Sequence, residues 1–293
     1  MILPVPGYRH VNSTSRDSRK QSAGKRICSI PNVPIPLQKR IVYGPVGSRR
    51  LGASLGVNVL PHNLKICNMN CAYCQYGWTN VRRSSSRSPV RWPTPGRIEA
   101  AVAARLKRAA ASNEILDRIT VAGHGEPTLH PDFEEIAMRL ARIRDAVSPG
   151  LRLAILSNST TASWPNVRRG LAYFDERHMK LDAGDPITYA RINQGGVSIR
   201  TLIESLADLP DIIVQAMFVS DVSGRIDNAN EAAVAEWLLA LERVRPAQVH
   251  IYTVDRSPAD VDLKPVPAAR LREIAERVRA AGFSAQVFAG RRN

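Results

Sequence analysis

Acidic and aromatic side chains are scarce in this chain. Asp and Glu number 26 against 41 Lys and Arg, a formal charge of +15, and Phe, Trp and Tyr make up only 5% of residues. A cationic surplus of that size favours polyanionic partners such as RNA, through phosphate neutralisation and counterion release. The other source of such a charge is an arginine-rich proteome with no nucleic-acid function. The shortage of aromatics counts against single-strand base stacking as the main business of the chain. No apolar run approaches the ~18–20 residues that a membrane span needs. The opening Met1-Ile2-Leu3-Pro4-Val5-Pro6 is too short and too proline-broken for a secretory core. A cytoplasmic protein with no membrane partner is therefore expected. Only four cysteines occur in 293 residues, which without a secretory segment is no disulfide scaffold. There is no internal repeat.

Three of those four cysteines fall within eight residues, Cys67-Asn68-Met69-Asn70-Cys71-Ala72-Tyr73-Cys74. The spacing is CxxxCxxC, with an aromatic before the last thiol. Three thiolates on a short loop can hold three corners of a cubic iron–sulfur cluster. No fourth ligand is near, so one iron would stay open to a small molecule, unlike the usual four-cysteine electron carrier. The competing reading is a closed zinc site, which needs four ligands and would recruit Cys28 or His62. Cys28 is otherwise an idle thiol.

The chain divides into a basic segment and an alternating one. Residues 1–40 carry eight Lys/Arg against Asp17 alone and lack apolar periodicity, so they are expected as a flexible basic arm. Val81 to Ser88 is a second basic, Ser-rich stretch, either a solvated loop or a phosphate contact. Residues 41–293 are expected as one domain. Strands are expected near 54–60, 116–122, 151–157, 178–182, 211–219 and 248–254, with a last one near 285–288. Helices are expected near 95–112, 131–146, 163–171, 188–208, 229–244 and 266–281. Repeated strand–helix units with continuous apolar strands point to a parallel sheet buried on both faces. Six units make an incomplete (β/α)6 barrel, an α/β fold, whose functional residues gather at the C-terminal strand ends.

The strand ends carry chemistry-bearing residues. The cysteine loop follows the first strand. The second ends in Ala122-Gly123-His124-Gly125-Glu126-Pro127-Thr128, where glycines permit close approach to a ligand and Glu126 can accept from an ammonium. The third ends in Ser157-Asn158-Ser159-Thr160, suited to polar contacts, with a helix N-cap as the alternative for Ser159 or Thr160. The fourth ends in Lys180-Leu181-Asp182. Alternate strand positions share a face, so Lys180 and Asp182 are either an acid–base pair in the lumen or a structural salt bridge. His250, Tyr252, Asp255 and Arg256 are weaker cavity candidates.

The CxxxCxxC loop with Tyr73, followed by the Gly-rich segment with Glu126, resembles the radical S-adenosylmethionine (radical SAM) superfamily. The stretch Tyr43 to Asn58, with Cys74-Gln75-Tyr76-Gly77, Gly125-Glu126-Pro127-Thr128-Leu129-His130-Pro131 and Leu181-Asp182-Ala183-Gly184, resembles more narrowly the group related to tRNA wyosine-synthesis enzymes. The similarity covers about residues 41–256. It implies a [4Fe–4S] cluster on Cys67, Cys71 and Cys74, and S-adenosylmethionine chelating the open iron. Tyr73 would lie against the adenine, and Gly123, Gly125 and Glu126 by the methionine amine. Ser157 and Asn158 would lie by the ribose and carboxylate. Reductive cleavage to a 5′-deoxyadenosyl radical, hydrogen abstraction from a substrate, and a low-potential donor such as flavodoxin or ferredoxin are implied with it. The reaction subclass stays open between oxidoreductase and transferase or lyase. The expected substrate is a tRNA or other RNA base, ahead of a small metabolite or peptide; the non-enzyme alternative is a zinc-stabilised RNA-binding module. The base-forming wyosine enzymes bear further N-terminal cysteines for a second cluster, where this chain has only Cys28, so a two-cluster, pyruvate-using mechanism is not implied.

Overall fold

The computed structural model describes residues 34–79, 81–82 and 90–290. Cys28, most of the expected basic arm and most of the Ser-rich stretch lie outside the described residues. Residues 34–40 are described: Ile35 N donates to Gln75 O (2.9 Å) and Gln38 N to His124 Nδ1 (3.1 Å), which fastens this segment beside the cysteine loop.

Chain order begins with β1 (Val42–Ser48) and β2 (Gly52–Val57), an antiparallel hairpin, then the short β3 (Ile66–Cys67) and β4 (Val81–Arg82). Strands and helices then alternate: α1 (Pro95–Ala111), β5 (Arg118–Val121), α2 (Phe133–Val147), β6 (Arg152–Ser157), α3 (Pro165–Leu171), β7 (Glu176–Lys180), α4 (Pro186–Ile192), α5 (Ile199–Ala207) and β8 (Ile212–Asp221). α6 (Glu231–Val244), β9 (Gln248–Thr253), β10 (Leu263–Pro265), α7 (Ala268–Ala280) and β11 (Ala285–Phe288) complete it. The main sheet runs β1-β2-β5-β6-β7-β8-β9-β11, parallel from β2 onward, with β10 antiparallel on β8. It curls into an open half-barrel, the expected architecture.

The helices cover the convex face because their apolar positions recur every three or four residues. In α1 these are Ile98, Val102, Leu106 and Ala109, all buried, behind a Thr94 cap that accepts from Arg97 N. Such faces and the apolar strands make one continuous core that includes Leu55, Ile119, Leu153, Val214 and Ile251.

The concave face is polar, and contacts that skip a strand reveal it. Arg118 on β5 meets Glu176 on β7 (2.7 Å), across β6. His178 and Lys180 on β7 reach His250 and Tyr252 on β9, across β8, with imidazole rings 5.5 Å apart and Lys180 Nζ 2.9 Å from the Tyr252 hydroxyl. Only the inside of a curled sheet brings next-but-one strands together.

Among the differences from the expectation, three shape the site. The first parallel strand stops at Val57, because the Asn58 side chain bonds both Leu60 N (3.2 Å) and Leu60 O (3.1 Å) and turns the chain. The preceding Tyr43–Ser48 stretch forms a strand, with the Tyr43 ring filling the space beside Gly56 and its hydroxyl donating to Ala122 O (3.3 Å). The single helix expected over 188–208 is two, α4 and α5, broken at Asn193-Gln194-Gly195-Gly196, where Gln194 is left-handed (φ 46°).

Candidate active site

The cysteine loop lies over the C-terminal ends of β6 and β7. Its approach is pinned by the end of β5: Ile66 O accepts from Glu126 N (2.9 Å). A Cβ on Gly125 would lie 1.8 Å from Ile66 O, and one on Gly123 would lie 2.2 Å from Asn58 Oδ1. The two glycines therefore let the end of β5 press against the segments that carry the loop. His124 between them is fully buried, with Nδ1 accepting from Gln38 N and Nε2 bonded to Pro61 O (2.7 Å).

Glu126 is 1% exposed, and its oxygens face protein donors. Oε1 accepts from Thr128 N (3.1 Å), Thr128 Oγ1 (2.5 Å) and Ser157 Oγ (3.0 Å), and Oε2 from Asn158 N (2.5 Å). Burial pushes its carboxyl above the ordinary range, against the pull of those donors. The carboxylate thus joins the ends of β5 and β6 and holds the Asn158 backbone. Thr160 Oγ1 donates to Asn158 Oδ1 (2.7 Å) and accepts from Asn68 Nδ2 (2.5 Å), while Ser159 is left-handed (φ 74°) with a buried, unpartnered Oγ. Neither caps α3, whose cap position is Trp164, so the N-cap alternative for this pair does not hold.

Each cysteine sulfur meets a side-chain nitrogen. Asn158 Nδ2 is 3.5 Å from Cys67 Sγ, Asn193 Nδ2 3.5 Å from Cys71 Sγ, and Lys65 Nζ 3.2 Å from Cys74 Sγ. Burial, then the neighbouring Cys71 thiol, pushes Cys67 up to about 12, and burial pushes Cys71 up to about 11. Among the described residues, no three His, Cys, Asp or Glu side chains converge as a single-ion site requires. His62 keeps a buried, unpartnered Nε2.

Tyr73 hangs from the loop into the lumen. Its hydroxyl donates to Asp182 Oδ2 (2.5 Å) and accepts from Asn193 Nδ2 (3.0 Å), which also reaches Asp182 Oδ2 (2.8 Å). Lys180 Nζ is 2.7 Å from Asp182 Oδ1, and stands 4.7 Å from the Tyr73 ring centre and 4.9 Å from that of Tyr252. The expected Lys180–Asp182 pair therefore forms, in the lumen, where Asp182 holds the ammonium's pKa up against the opposing effect of burial. Below it, burial and the neighbouring His178 push His250 down to about 3, so this imidazole is neutral at pH 7. Arg256 leaves the lumen to bond Gln75 Oε1 (2.9 Å), and Asp255 pairs with Arg49 (3.2 Å).

Two residues of this constellation escape sequence reasoning. Lys65 is 7% exposed beside the last cysteine; its place two residues ahead of Cys67 was the available signal. Asn193 had none, since it sits where a continuous helix is expected.

Comparison with known proteins bears on the family and the fold. The chain is 26% identical over 230 residues to a GTPase Obg of Brachyspira hyodysenteriae, a match covering 78% of this chain and 32% of that protein. It is 30% identical over 219 residues to a UPF0026 protein of Helicobacter pylori, covering 74% of this chain and 67% of that one. The chain thus spans about a third of the first relative and two thirds of the second. Among solved structures, a radical SAM methyltransferase from Sphaerobacter thermophilus superposes with TM-score 0.56 at 18% identity, covering 81% of this chain and 66% of that one. TYW1, of the wyosine-synthesis group, carrying a lysine–pyruvate adduct, does so with TM-score 0.54 at 14% identity, covering 78% and 73%. The profile of the Radical SAM superfamily matches residues 64–238, from just before the cysteine loop to α6, and the chain belongs to that enzyme superfamily.

Proposed function

We propose that this chain holds a [4Fe–4S] cluster on Cys67, Cys71 and Cys74 and binds S-adenosylmethionine beside it, to act as a radical SAM enzyme on an RNA base, tRNA first. The observation that carries the reading is the set of three thiols over the C-terminal mouth of the half-barrel, each facing a side-chain nitrogen. The donor set fits such a group. Lys65 is buried and has no carboxylate partner among the described residues, so its charge calls for the anionic sulfur of a ligating thiolate. When bound, cluster and S-adenosylmethionine would supply reductive cleavage of the sulfonium and hydrogen-atom abstraction, with an electron from a flavodoxin- or ferredoxin-like donor.

The chain's own side chains would bind, orient and enclose. Tyr73, tied at its hydroxyl by Asp182 and Asn193, would offer its ring to the adenine. Glu126 would act as a positioning residue, since both its oxygens are engaged; it fixes the backbone at Thr128 and at Asn158, beside the segment that would meet the amino-acid end. Ser157 and Asn158 would stand at the ribose and carboxylate side. Lys180 and Asp182 would hold a proton at Nζ beside the substrate, and the half-barrel would exclude water. The RNA assignment is supported by the charge of +15 and by the likeness to the wyosine-synthesis group.

The test is anaerobic reconstitution with iron and sulfide, then dithionite and S-adenosylmethionine, assaying 5′-deoxyadenosine. The expected result is a brown protein that forms the nucleoside, and a Cys71→Ala variant that does neither. A colourless protein carrying one zinc, with no cleavage, overturns the enzyme reading. Bulk tRNA added to the active protein is expected to become modified; turnover that responds only to small molecules or peptides overturns the RNA assignment.

A further inference from the structure

The nitrogens at the three sulfurs are not equivalent. Asn158 and Asn193 bring neutral amides to Cys67 and Cys71, each at 3.5 Å. Lys65 brings an ammonium to Cys74, closer, at 3.2 Å, and its other partner is the carbonyl of Gly77. It is 7% exposed, and no carboxylate among the described residues pairs with it. Surface lysines seldom bury their heads, and a buried ammonium without an anion is costly. Its position is held by the loop itself: Gly77 is left-handed (φ 75°) and its N donates to Cys74 O (3.0 Å), so the chain curls back after the last cysteine and brings the Gly77 carbonyl to Nζ.

We infer that Lys65 is a positioning residue that sets the reduction potential of the cluster through Cys74. The inference rests on the proposed cluster. Taking one electron from the reductant makes a cluster one unit more negative, and a fixed positive charge at a ligating sulfur favours that state. Hydrogen bonds to the sulfurs and net local charge are among the factors that set such potentials. One charge at one corner also makes the three ligands unequal, with Cys74 the corner where negative charge is best tolerated.

The test is a potentiometric titration followed by electron paramagnetic resonance on the reconstituted full chain, with dithionite as reductant. The variants are Lys65→Met, Lys65→Gln, Lys65→Arg, and Lys107→Met as a control for loss of one exposed charge on α1. Lys65→Met and Lys65→Gln are expected to shift the potential negative, so that the ratio of reduced to oxidised cluster at a fixed potential falls about tenfold, about 59 mV for one electron. Lys65→Arg is expected to restore most of the shift, and Lys107→Met to show none. Loss of iron from the Met and Gln variants but not from Arg would overturn the role in potential and replace it with one in holding the cluster. Equal potentials in all variants, or loss of iron from Arg as well, overturn the inference and leave the cluster standing. Failure of the wild type to take up a cluster overturns the proposed function instead.

Discussion

Asp182 gathers four donors in a position 3% exposed: Lys180 Nζ and Met217 N at Oδ1, Tyr73 OH and Asn193 Nδ2 at Oδ2. Removing this carboxylate leaves a buried ammonium without its anion, the costly half of a broken buried pair. Asp182→Ala is therefore expected to lose about 3–5 kcal/mol of stability, read from the urea midpoint at unchanged slope. Asp182→Asn, which keeps the shape, should lose less; equal stability of wild type and Asp182→Ala would show that the pair is solvated. The pairing of Lys180 with Asp182 was legible in the sequence, because alternate residues of a strand share a face. The attachment of Tyr73 to it was not, since 109 residues separate Tyr73 from Asp182. The thiols were equally legible from their spacing, but the nitrogens that face them come from three different places in the chain.

At the level of elements, the decisive contacts lie where strands end. Gly125 sits under the carbonyl of Ile66, and a Cβ there would overlap it at 1.8 Å. Because that neighbour is backbone, the overlap cannot be relieved by a side-chain rotation and must displace β3 and the cysteine loop with it. Gly125→Ala is expected to cost about 1–3 kcal/mol and to lower iron uptake on reconstitution, as measured by iron content per chain. Full iron content with unchanged stability would mean that the loop does not depend on this contact. The sequence presented Gly123 and Gly125 as glycines open to a ligand; in the structure the space beside each is taken by Asn58 or Ile66. The break between α4 and α5 was hidden because the residues around it keep helical apolar spacing. It nevertheless aims Asn193 at Cys71, and Asn70 N and Ala72 N donate to the carbonyls of Asn193 (3.0 Å) and Ile192 (2.8 Å).

Across the whole molecule, the half-barrel is held from inside by a polar layer at the opposite end from the cysteines. Glu176 takes two bonds from Arg118 (2.7 and 3.0 Å) and contacts Arg152 (3.1 Å) and His178 (3.2 Å), linking β5, β6 and β7. Burial works to raise its pKa; His178 and Arg118 outweigh that and hold it down at about 2, from an ordinary 4.5. A depressed carboxyl contributes stability that is present in full above its unfolded value and lost as pH falls through the folded one. Between pH 4.5 and about 2 the wild type is thus expected to lose melting temperature more steeply than Glu176→Gln, as followed by circular dichroism; parallel curves would sink the assignment. By itself the sequence determined the strand–helix alternation, the cysteine loop and the strand-end positions of Glu126, Ser157, Asn158, Lys180 and Asp182, because these follow from local periodicity and motif spacing. Only the tertiary structure decided what those side chains face: it turned Glu126 onto protein donors, buried Lys65 against Cys74, and closed Tyr73 onto Asp182. Curling a sheet brings next-but-one strands and distant loops into contact, and that curvature is a property of the assembled strands rather than of any one segment.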